Sequence, residues 1–441
     1  MNIAEYIKNQ LPLWPNWINA ILLRCNVFGG LVYGKSYQYY RKTIGKIDPT
    51  KKLLDMVNYA IKNVPYYREK YGNLEIHSIE DFETKIGFID KDEVMSNWDK
   101  FIADNADLSK CITGTTGGTS GKALKLIIPK NRYSIDRAFT HKQLHKFGWN
   151  YDTFAVIRNN KLDSGKDYII NPIMKLVIFD AFRLNEEYAR TICKTMKKYH
   201  IHCIHAYPSA LFQFCKLCKK VDLDLSFIKL CRLTSEQITE DEMHFFKYNF
   251  NFKLSYSYGH SERLILAGNT PSNDNYLVEE NYGYLELVNN DHVIKSTDTL
   301  GEMVGTSFNN RYFPLIRYKT GDYTTYCSMG EQRMLGKIQG RWQNSLIYCA
   351  DGRKISTASL NLHNHIYEKI YGLQYLQEKK GELKILIIKG KTYDDSTEQE
   401  ILSFYKKCLG NDTVINIKYV DKLTLKPNGK FVLLISNIKH D

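Results

Sequence analysis

The sequence contains no uninterrupted apolar run of membrane-spanning length. Its most apolar N-terminal stretch, Leu11 to Tyr33, is broken by Pro12, Pro15, Arg24 and Asn26, whereas a spanning helix needs about 20 consecutive apolar residues. No transmembrane segment is expected. A helix packed on the globule is expected instead, with Trp14 and Trp17 suited to weak peripheral contact at the inner face of a membrane. A basic tail and an arginine-rich block are missing too. The net charge of +13 comes mostly from lysines spread along the chain, so nucleic acid is not expected as a partner, while a diffuse positive field favours phosphorylated or membrane-surface substrates. No secretory-signal pattern opens the sequence, and its ten cysteines fall at irregular spacing. That usage fits reduced thiols in a cytoplasmic protein better than a disulfide framework. Internal repeats and low-complexity tracts are absent as well.

What is present is an ordinary globular composition: 441 residues, 43% hydrophobic and 25% charged, long enough for two or more domains. Residues 51 to 104 carry helical periodicity, as in Leu53-Leu54, Val57 and Ala60-Ile61, within a helical lead-in segment of about 1–105. From 124 to 260, apolar runs (Leu124 to Ile128, Phe154 to Ile157, Ile201 to Ile204) alternate with amphipathic stretches (Glu187 to Tyr199, Ser209 to Lys220), which argues for α/β layers. Strands are expected at Tyr284 to Val288, Glu302 to Phe308 and Leu315 to Tyr318. The last hundred residues read as a separate unit. It has a strand at Leu383 to Ile388, a helix from Thr397 to Cys408 with Ser396 and Gln399 as a capping box, and a strand at Val414 to Val420. The fold class is α/β: a large multi-subdomain N-terminal domain of layered sheets and helices, residues 1–341, plus a small mobile α+β C-terminal domain, residues 342–441.

One loop is dense in phosphate-binding chemistry. Gly114, Gly117, Gly118 and Gly121 allow positive-φ turns that aim N–H groups at one anion, Thr113, Thr115, Thr116, Thr119 and Ser120 add hydroxyls, and Lys122 adds charge. It is not a Walker A loop, because Thr116 stands where the first glycine belongs and Ala123 where a magnesium-binding hydroxyl belongs. A dinucleotide G-x-G-x-x-G fingerprint is absent.

Four more segments follow in order: Tyr256-Ser-Tyr-Gly-His-Ser-Glu262, Arg317-Tyr-Lys-Thr-Gly-Asp322, Gly340-Arg341 and Pro427-Asn-Gly-Lys430. With the Thr113 to Lys122 loop, their order and separation resemble the signature motifs of the adenylate-forming enzymes, which include acyl-CoA synthetases and peptide synthetase adenylation domains. Asn63-Val-Pro-Tyr-Tyr-Arg68, Tyr207-Pro-Ser-Ala210, Ser235-Glu236 and Tyr258 to Gly268 narrow the resemblance to the phenylacetate-CoA ligase and CapK-like branch, the latter known from capsular polysaccharide biosynthesis. The resemblance covers nearly the whole chain; each motif is weak alone, and the five in order are specific.

The resemblance implies ATP-dependent activation of a carboxylic acid as its acyl-adenylate, with Mg²⁺, then acyl transfer to a thiol such as coenzyme A or to an amine, including that of an amino sugar. It makes 1–341 an AMP-binding domain. The 113–122 loop would hold the ATP phosphates, Tyr258 with Gly259 the adenine, Asp322 the ribose hydroxyls and Glu262 the Mg²⁺. Ser235 and Glu236 would also face adenine or ribose, and Arg341 the nucleotide near the domain junction. Lys430 would be catalytic, bridging the attacking carboxylate and the α-phosphate. His205, Tyr207, Pro208, Ser209 and His260 are expected at the acyl pocket. Gln343 departs from the Asp or Lys usual at the family hinge, and residues 263 to 285 lack the Cys/His zinc cluster of some phenylacetate-type members, so no zinc is expected.

Two other chemistries compete. Gly259-His-Ser261 resembles the start of a hydrolase nucleophile elbow with Ser261 as nucleophile, but Arg263 stands at its second glycine, where a side chain would crowd the turn. A non-catalytic nucleotide-binding scaffold of a polysaccharide pathway is the other alternative. His200, His202, Cys203 and His205 are expected on one strand, split between its faces, and Cys215 and Cys218 have helical spacing; a structural role is favoured over zinc for both groups.

Overall fold

The computed structural model describes residues 14–24, 33–116, 124–158, 160–162, 165–330, 332–340, 346–360, 362, 364–424, 433–436 and 438. The chain forms two compact units. One comprises Met1–Val32, Phe147–Tyr256 and Trp342–Asp441, the other Tyr33–Lys146 and Ser257–Arg341. The architecture is the expected mixed α/β body with a small C-terminal α+β domain.

The first unit is built on a sheet whose strands run in the order Ile169–Asn171, Leu176–Phe179, Phe154–Ile157, Cys203–Ala206, Leu230–Leu233, Lys253–Gly259. All its pairings are parallel except that of the edge strand Ile169–Asn171. Phe154 to Ile157 is buried at every position, as a strand covered on both faces must be. The helix Glu186–Lys198 follows the N-cap Asn185, with Glu186 and Glu187 in its first turn and Lys197 and Lys198 in its last, charges that suit its dipole. The helix Pro208–Lys220 opens on a proline, whose missing N–H costs nothing there. His200 is not on the expected strand. It takes φ 53° in the turn before it, and the strand begins at Cys203.

The helix Asn16–Arg24 lies on this unit, with Asn16 Nδ2 donating to the Tyr168 carbonyl at 3.5 Å and Lys175 Nζ to the Leu23 carbonyl at 3.1 Å. Trp14 and Trp17 are exposed, and among the described residues no helix is long and apolar enough to cross a membrane. The nine cysteines among the described residues are free thiols.

The small domain pairs its strands in the order Val414–Tyr419, Glu382–Lys389, Ile370–Lys379, Leu434–Ser436. Its helix Asp395–Leu409 buries Ile401, Tyr405 and Leu409. The expected capping box of Ser396 and Gln399 is displaced. Asp394, extended at φ −135°, accepts the Thr397 N–H at 2.8 Å and starts the helix two residues earlier.

In the second unit, the helix Pro49–Asn63 buries Leu53, Met56, Val57, Ala60 and Ile61, an apolar stripe at helical spacing. The strands Cys111–Thr115 and Lys125–Pro129 form an antiparallel hairpin, and the helix Arg132–Lys146 follows. A second sheet is ordered His292–Val293, Gly283–Asn289, Gly301–Ser307, Tyr318–Thr324. Its last strand begins at Tyr318, where the sequence reading ends one. Arg317 takes φ 52°, which breaks the strand before it and turns its guanidinium onto Glu286 at 3.1 and 2.8 Å. The strand Lys253–Gly259 runs past the unit boundary, and its last residues pair with Leu266–Thr270 inside the second unit.

Candidate functional site

The described part of the glycine-rich segment is a hairpin stem. Thr113, Gly114 and Thr115 pair with Ile127, Leu126 and Lys125, and Thr116 closes the ladder: its N–H donates to the Leu124 carbonyl and its Oγ1 accepts the Leu124 N–H, both at 2.9 Å. Gly114 has no positive φ. Contrary to the sequence expectation, it lies in an ordinary strand; a Cβ here would stand 2.7 Å from Ile128 Cδ1, the tip of a side chain that would have to turn aside. Gly117, Gly118, Thr119, Ser120, Gly121 and Lys122 lie outside the described residues, as do Arg341, Gln343 and Lys430.

The strand that ends at Gly259 and the one that starts at Tyr318 bring four expected residues together in the second unit. Tyr258 Oη donates to Asp322 Oδ2 at 2.7 Å, and the Tyr258 ring stacks on His260 with centroids 5.9 Å apart. The Ile265 N–H donates to His260 Nε2 at 3.2 Å. That nitrogen is therefore an acceptor, so the proton sits on Nδ1, which donates to Glu262 Oε2 at 3.0 Å. Tyr318 Oη reaches Glu262 Oε1 at 3.4 Å. The Glu262 carboxylate thus meets a donor on each oxygen, in a side chain only 3% exposed. Leu126 and Ile128 of the hairpin stem line one cavity together with Glu262, Arg132 and Arg263.

A network around the buried Arg132 lines the same cavity, and the sequence reading missed it. Arg132, fully buried, donates to the Arg263 carbonyl at 2.7 Å and lies 4.5 Å over the Tyr282 ring. Asp136 is shared by Arg132 and Arg263 and also accepts from Tyr282 Oη at 2.9 Å. Arg263 takes φ 58°, a backbone conformation in which glycine is preferred, yet the turn forms with the arginine in place. The hydrolase alternative is weakened on different ground. Both nitrogens of His260, the histidine beside Ser261 in sequence, are engaged by Glu262 and Ile265, so this imidazole is not free to act as its base.

These residues suit a nucleotide with Mg²⁺ by their chemistry. Mg²⁺ is held by one or two carboxylates with water and phosphate oxygens supplying the rest. Glu262 offers one such carboxylate, and among the described residues no group of three or more His, Cys, Asp or Glu side chains forms a protein-only cage. Asp322, 7% exposed, is an acceptor at the end of a tyrosine hydroxyl, as recognition of sugar hydroxyls requires.

A second polar cluster sits in the first unit, at the C-terminal ends of three adjacent parallel strands, where open α/β sheets bind ligands. Arg158 follows Phe154–Ile157, Tyr207 follows Cys203–Ala206, and Thr234, Ser235 and Glu236 follow Leu230–Leu233. The Arg158 guanidinium lies 4.8 Å over the Tyr207 ring, and its Nη2 donates to Ser235 Oγ at 3.1 Å. Ser235 reaches it through φ 71°. His205 shares a hydrogen bond with Thr234 Oγ1 at 3.1 Å, and burial, helped by Arg232 and Arg158, holds its pKa well below the ordinary 6.5, so the ring is neutral. Burial raises the Tyr207 phenol while Arg158 pulls it back. Glu236 Oε2 accepts the Ser209 N–H at 3.1 Å and so caps the helix that Pro208 begins. His205, Tyr207, Pro208, Ser209, Ser235 and Glu236 are therefore neighbours in this unit, and His260 belongs to the other. Arg158 was missed by the sequence reading. The available signal was a charged residue directly after a short, wholly apolar strand.

Residues 347–437 match the family model of the CapK C-terminal domain. The sequence is 22% identical to Protein CapK of Staphylococcus aureus over 99% of this chain and 100% of that one. Among solved structures it resembles a 2-hydroxyisobutyryl-CoA ligase in complex with 2-HIB-AMP and CoA in the thioesterification state, with TM-score 0.58 and 14% identity over 90% of this chain and 92% of that one. The same ligase with R3-HIB-AMP in the postadenylation state gives TM-score 0.53 at 14% identity over the same shares. The protein is thus similar to CapK along its length, matches the CapK C-terminal domain over residues 347–437, and shares the fold of the 2-hydroxyisobutyryl-CoA ligase.

Proposed function

We propose that this protein activates a carboxylic acid with ATP, giving an acyl-adenylate and pyrophosphate, and passes the acyl group to an acceptor thiol or amine. Coenzyme A is the thiol the phenylacetate-type resemblance favours; an amino sugar is the amine that the likeness to CapK favours, in the assembly of a surface polysaccharide. The observation that carries this reading is the assembly of Tyr258, Asp322, His260 and Glu262 around one strand end, with Glu262 lining the same cavity as the stem of the glycine-rich hairpin.

In this reading Asp322 holds the ribose and Tyr258 the adenine, with their mutual hydrogen bond fixing the distance between the two recognition points. The Thr113 to Lys122 segment holds the phosphates through hydroxyls and backbone N–H groups. Glu262 holds Mg²⁺, which when bound neutralises phosphate charge, and His260 keeps that carboxylate oriented through its protonated Nδ1. Lys430, carried on a domain of residues 342–441 that moves between the half-reactions, offsets the charge that grows between the attacking carboxylate and the α-phosphate. Arg341 steadies the nucleotide where the two domains join.

The test is pyrophosphate release from Mg-ATP across a panel of acids, with wild type against Lys430→Ala. Release should depend on a particular acid and fall by about 100-fold or more in the variant, the scale of losing a group that stabilises transition-state charge. Measurable ATP binding without acid-dependent pyrophosphate release would replace catalysis with a scaffold role.

A further inference from the structure

One turn of the second unit is gripped on both sides of a strained residue. Arg263 stands in the left-handed region at φ 58°, and the residue before it in the chain is Glu262. Its N–H donates to the His260 carbonyl at 3.0 Å, which closes the turn that carries His260 and Glu262. The start of the helix Arg132–Lys146 holds Arg263 by backbone and side chain together. Arg132, 1% exposed, donates through Nη2 to the Arg263 carbonyl at 2.7 Å. Asp136 accepts from Arg263 Nη1, and the Arg263 guanidinium lies 4.3 Å over the Tyr133 ring. Asp136 also lies 3.2 Å from Arg132 Nε and accepts from Tyr282 Oη at 2.9 Å, while Arg132 lies 4.5 Å over the Tyr282 ring and hydrogen-bonds with its side chain. Leu264, the residue after Arg263, is pressed onto the sheet: a Cβ at Gly283 would stand 1.9 Å from its carbonyl oxygen, and one at Gly305 2.6 Å from its Cβ.

We propose that Arg132 and Asp136 are positioning residues for Glu262: they hold Arg263 in its left-handed conformation, and that backbone sets where the preceding residue presents its carboxylate. The inference rests on the adenylation reading only for what Glu262 binds, Mg²⁺, and it adds which groups outside the site fix that ligand. Packing alone does not call for this arrangement. Glycine at 263 would form the turn without strain but would leave it free to move, whereas an arginine there persists only where its surroundings over-determine it. Arg132 is itself costly to bury, since its Nε and Nη1 lack a well-aligned acceptor. Its well-formed bond is the one to the Arg263 carbonyl, so the cost is tolerated where the turn must keep one conformation. His260 acts on the carboxylate itself, through Nδ1; Arg132 and Asp136 act on the backbone that carries it.

The experiment uses the full-length protein as wild type, Arg132→Met, Arg132→Lys, Asp136→Ala and Glu262→Gln. Amide hydrogen exchange across residues 261–265 needs neither metal nor turnover, and Mn²⁺ binding in the presence of ATP, followed by electron paramagnetic resonance, needs no turnover. Exchange in that turn should speed up by about tenfold in Arg132→Met and Asp136→Ala, with the rest of the second unit unchanged. Mn²⁺ should bind about tenfold more weakly in both, and the Mg²⁺ needed for half-maximal pyrophosphate release should rise to match, the usual scale for loss of a group behind a metal ligand. Excess Mg²⁺ should bring the rate back, which it would not do for a protein that has lost its fold. Arg132→Lys, which keeps a donor for the Arg263 carbonyl, should restore part of each loss. If Arg132→Met does not fold, Asp136→Ala, at a side chain 27% exposed, carries the test. Unchanged turn exchange or unchanged Mn²⁺ affinity in Asp136→Ala overturns the proposal, as does a loss of rate that excess Mg²⁺ does not repair, or Mn²⁺ binding that Glu262→Gln leaves intact. The two readings fail separately. Acid-dependent pyrophosphate release at the wild-type Mg²⁺ requirement in the Arg132 and Asp136 variants leaves adenylation standing and removes this role. Faster turn exchange and weaker Mn²⁺ binding, without pyrophosphate release from any acid in wild type, do the reverse.

Discussion

Arg317 and Arg158 have the same signature in sequence, an arginine directly after a short apolar run, Leu315-Ile316 in one case and Phe154 to Ile157 in the other. Their surroundings are opposite. Arg317 is 2% exposed, pairs with Glu286 through Nε and Nη2, donates through Nη1 to the carbonyls of Glu83 and Ile86, and lies 3.9 Å over the Phe88 ring. Arg158 is only partly buried, donates to Ser235 Oγ, lies over the Tyr207 ring and hydrogen-bonds with its side chain, and among the described residues pairs with no carboxylate. The first arginine is satisfied wholly by its own chain and so serves the fold. The second keeps an Nε–H that no described residue accepts. Burial and saturation of the donors together, rather than charge, separate the two arginines.

The sharpest test of that comparison is the substitution Arg317→Met. It strands Glu286, itself 2% exposed, as an unpaired buried carboxylate, and removal of one partner of a buried pair costs about 3–5 kcal/mol. Urea unfolding should report that loss. The double substitution Arg317→Met with Glu286→Leu should recover more than half of it, because it removes the stranded charge along with its partner. A single variant within about 1 kcal/mol of wild type would mean the pair does not hold these strands together, and the contrast with Arg158 would collapse.

A smaller effect is expected at His260, which orients Glu262 without being the group that holds the ion. His260→Ala should raise the Mg²⁺ concentration needed for half-maximal pyrophosphate release by about 10–100-fold, the usual consequence of losing the partner that orients a metal ligand. His260→Gln, which can still donate to Glu262, should restore much of it. An unchanged Mg²⁺ requirement in His260→Ala, with activity lost for other reasons, would make His260 a packing residue and remove the role proposed for its Nδ1 proton.

How much was legible in advance follows from the same physics. Tyr258, His260 and Glu262 lie within five consecutive residues, so one motif delivers them together, and Asp322 arrives by an adjacent strand whose pattern is also local. Arg158, Tyr207 and Ser235 are about fifty and thirty residues apart in sequence. They become neighbours only through the parallel strand order, which no local pattern encodes. The misplaced strand at Leu315 to Tyr318 has a different cause. A positive φ at a non-glycine residue such as Arg317 leaves no mark in composition, although it decides where the ladder starts. The helix cap moved for a third reason: Asp394 and Ser396 are both good caps, and the choice fell to the turn that places Thr397, Ile401, Tyr405 and Leu409 against the small domain's core. Gly114 was read as a source of backbone freedom, and its place in a paired strand opposite Leu126 becomes visible only once the hairpin register is known.

The smallest expected effect is the most discriminating. Removal of Arg158 should hardly disturb the fold: Arg158→Gln gives up one hydrogen bond to Ser235 and the stacking and hydrogen bond on Tyr207, and it also relieves an N–H that is buried without an acceptor. These changes oppose one another, and no buried acid is stranded, so unfolding free energy should stay within about 1 kcal/mol of wild type. A variant that loses as much stability as Arg317→Met would place Arg158 with the structural arginine.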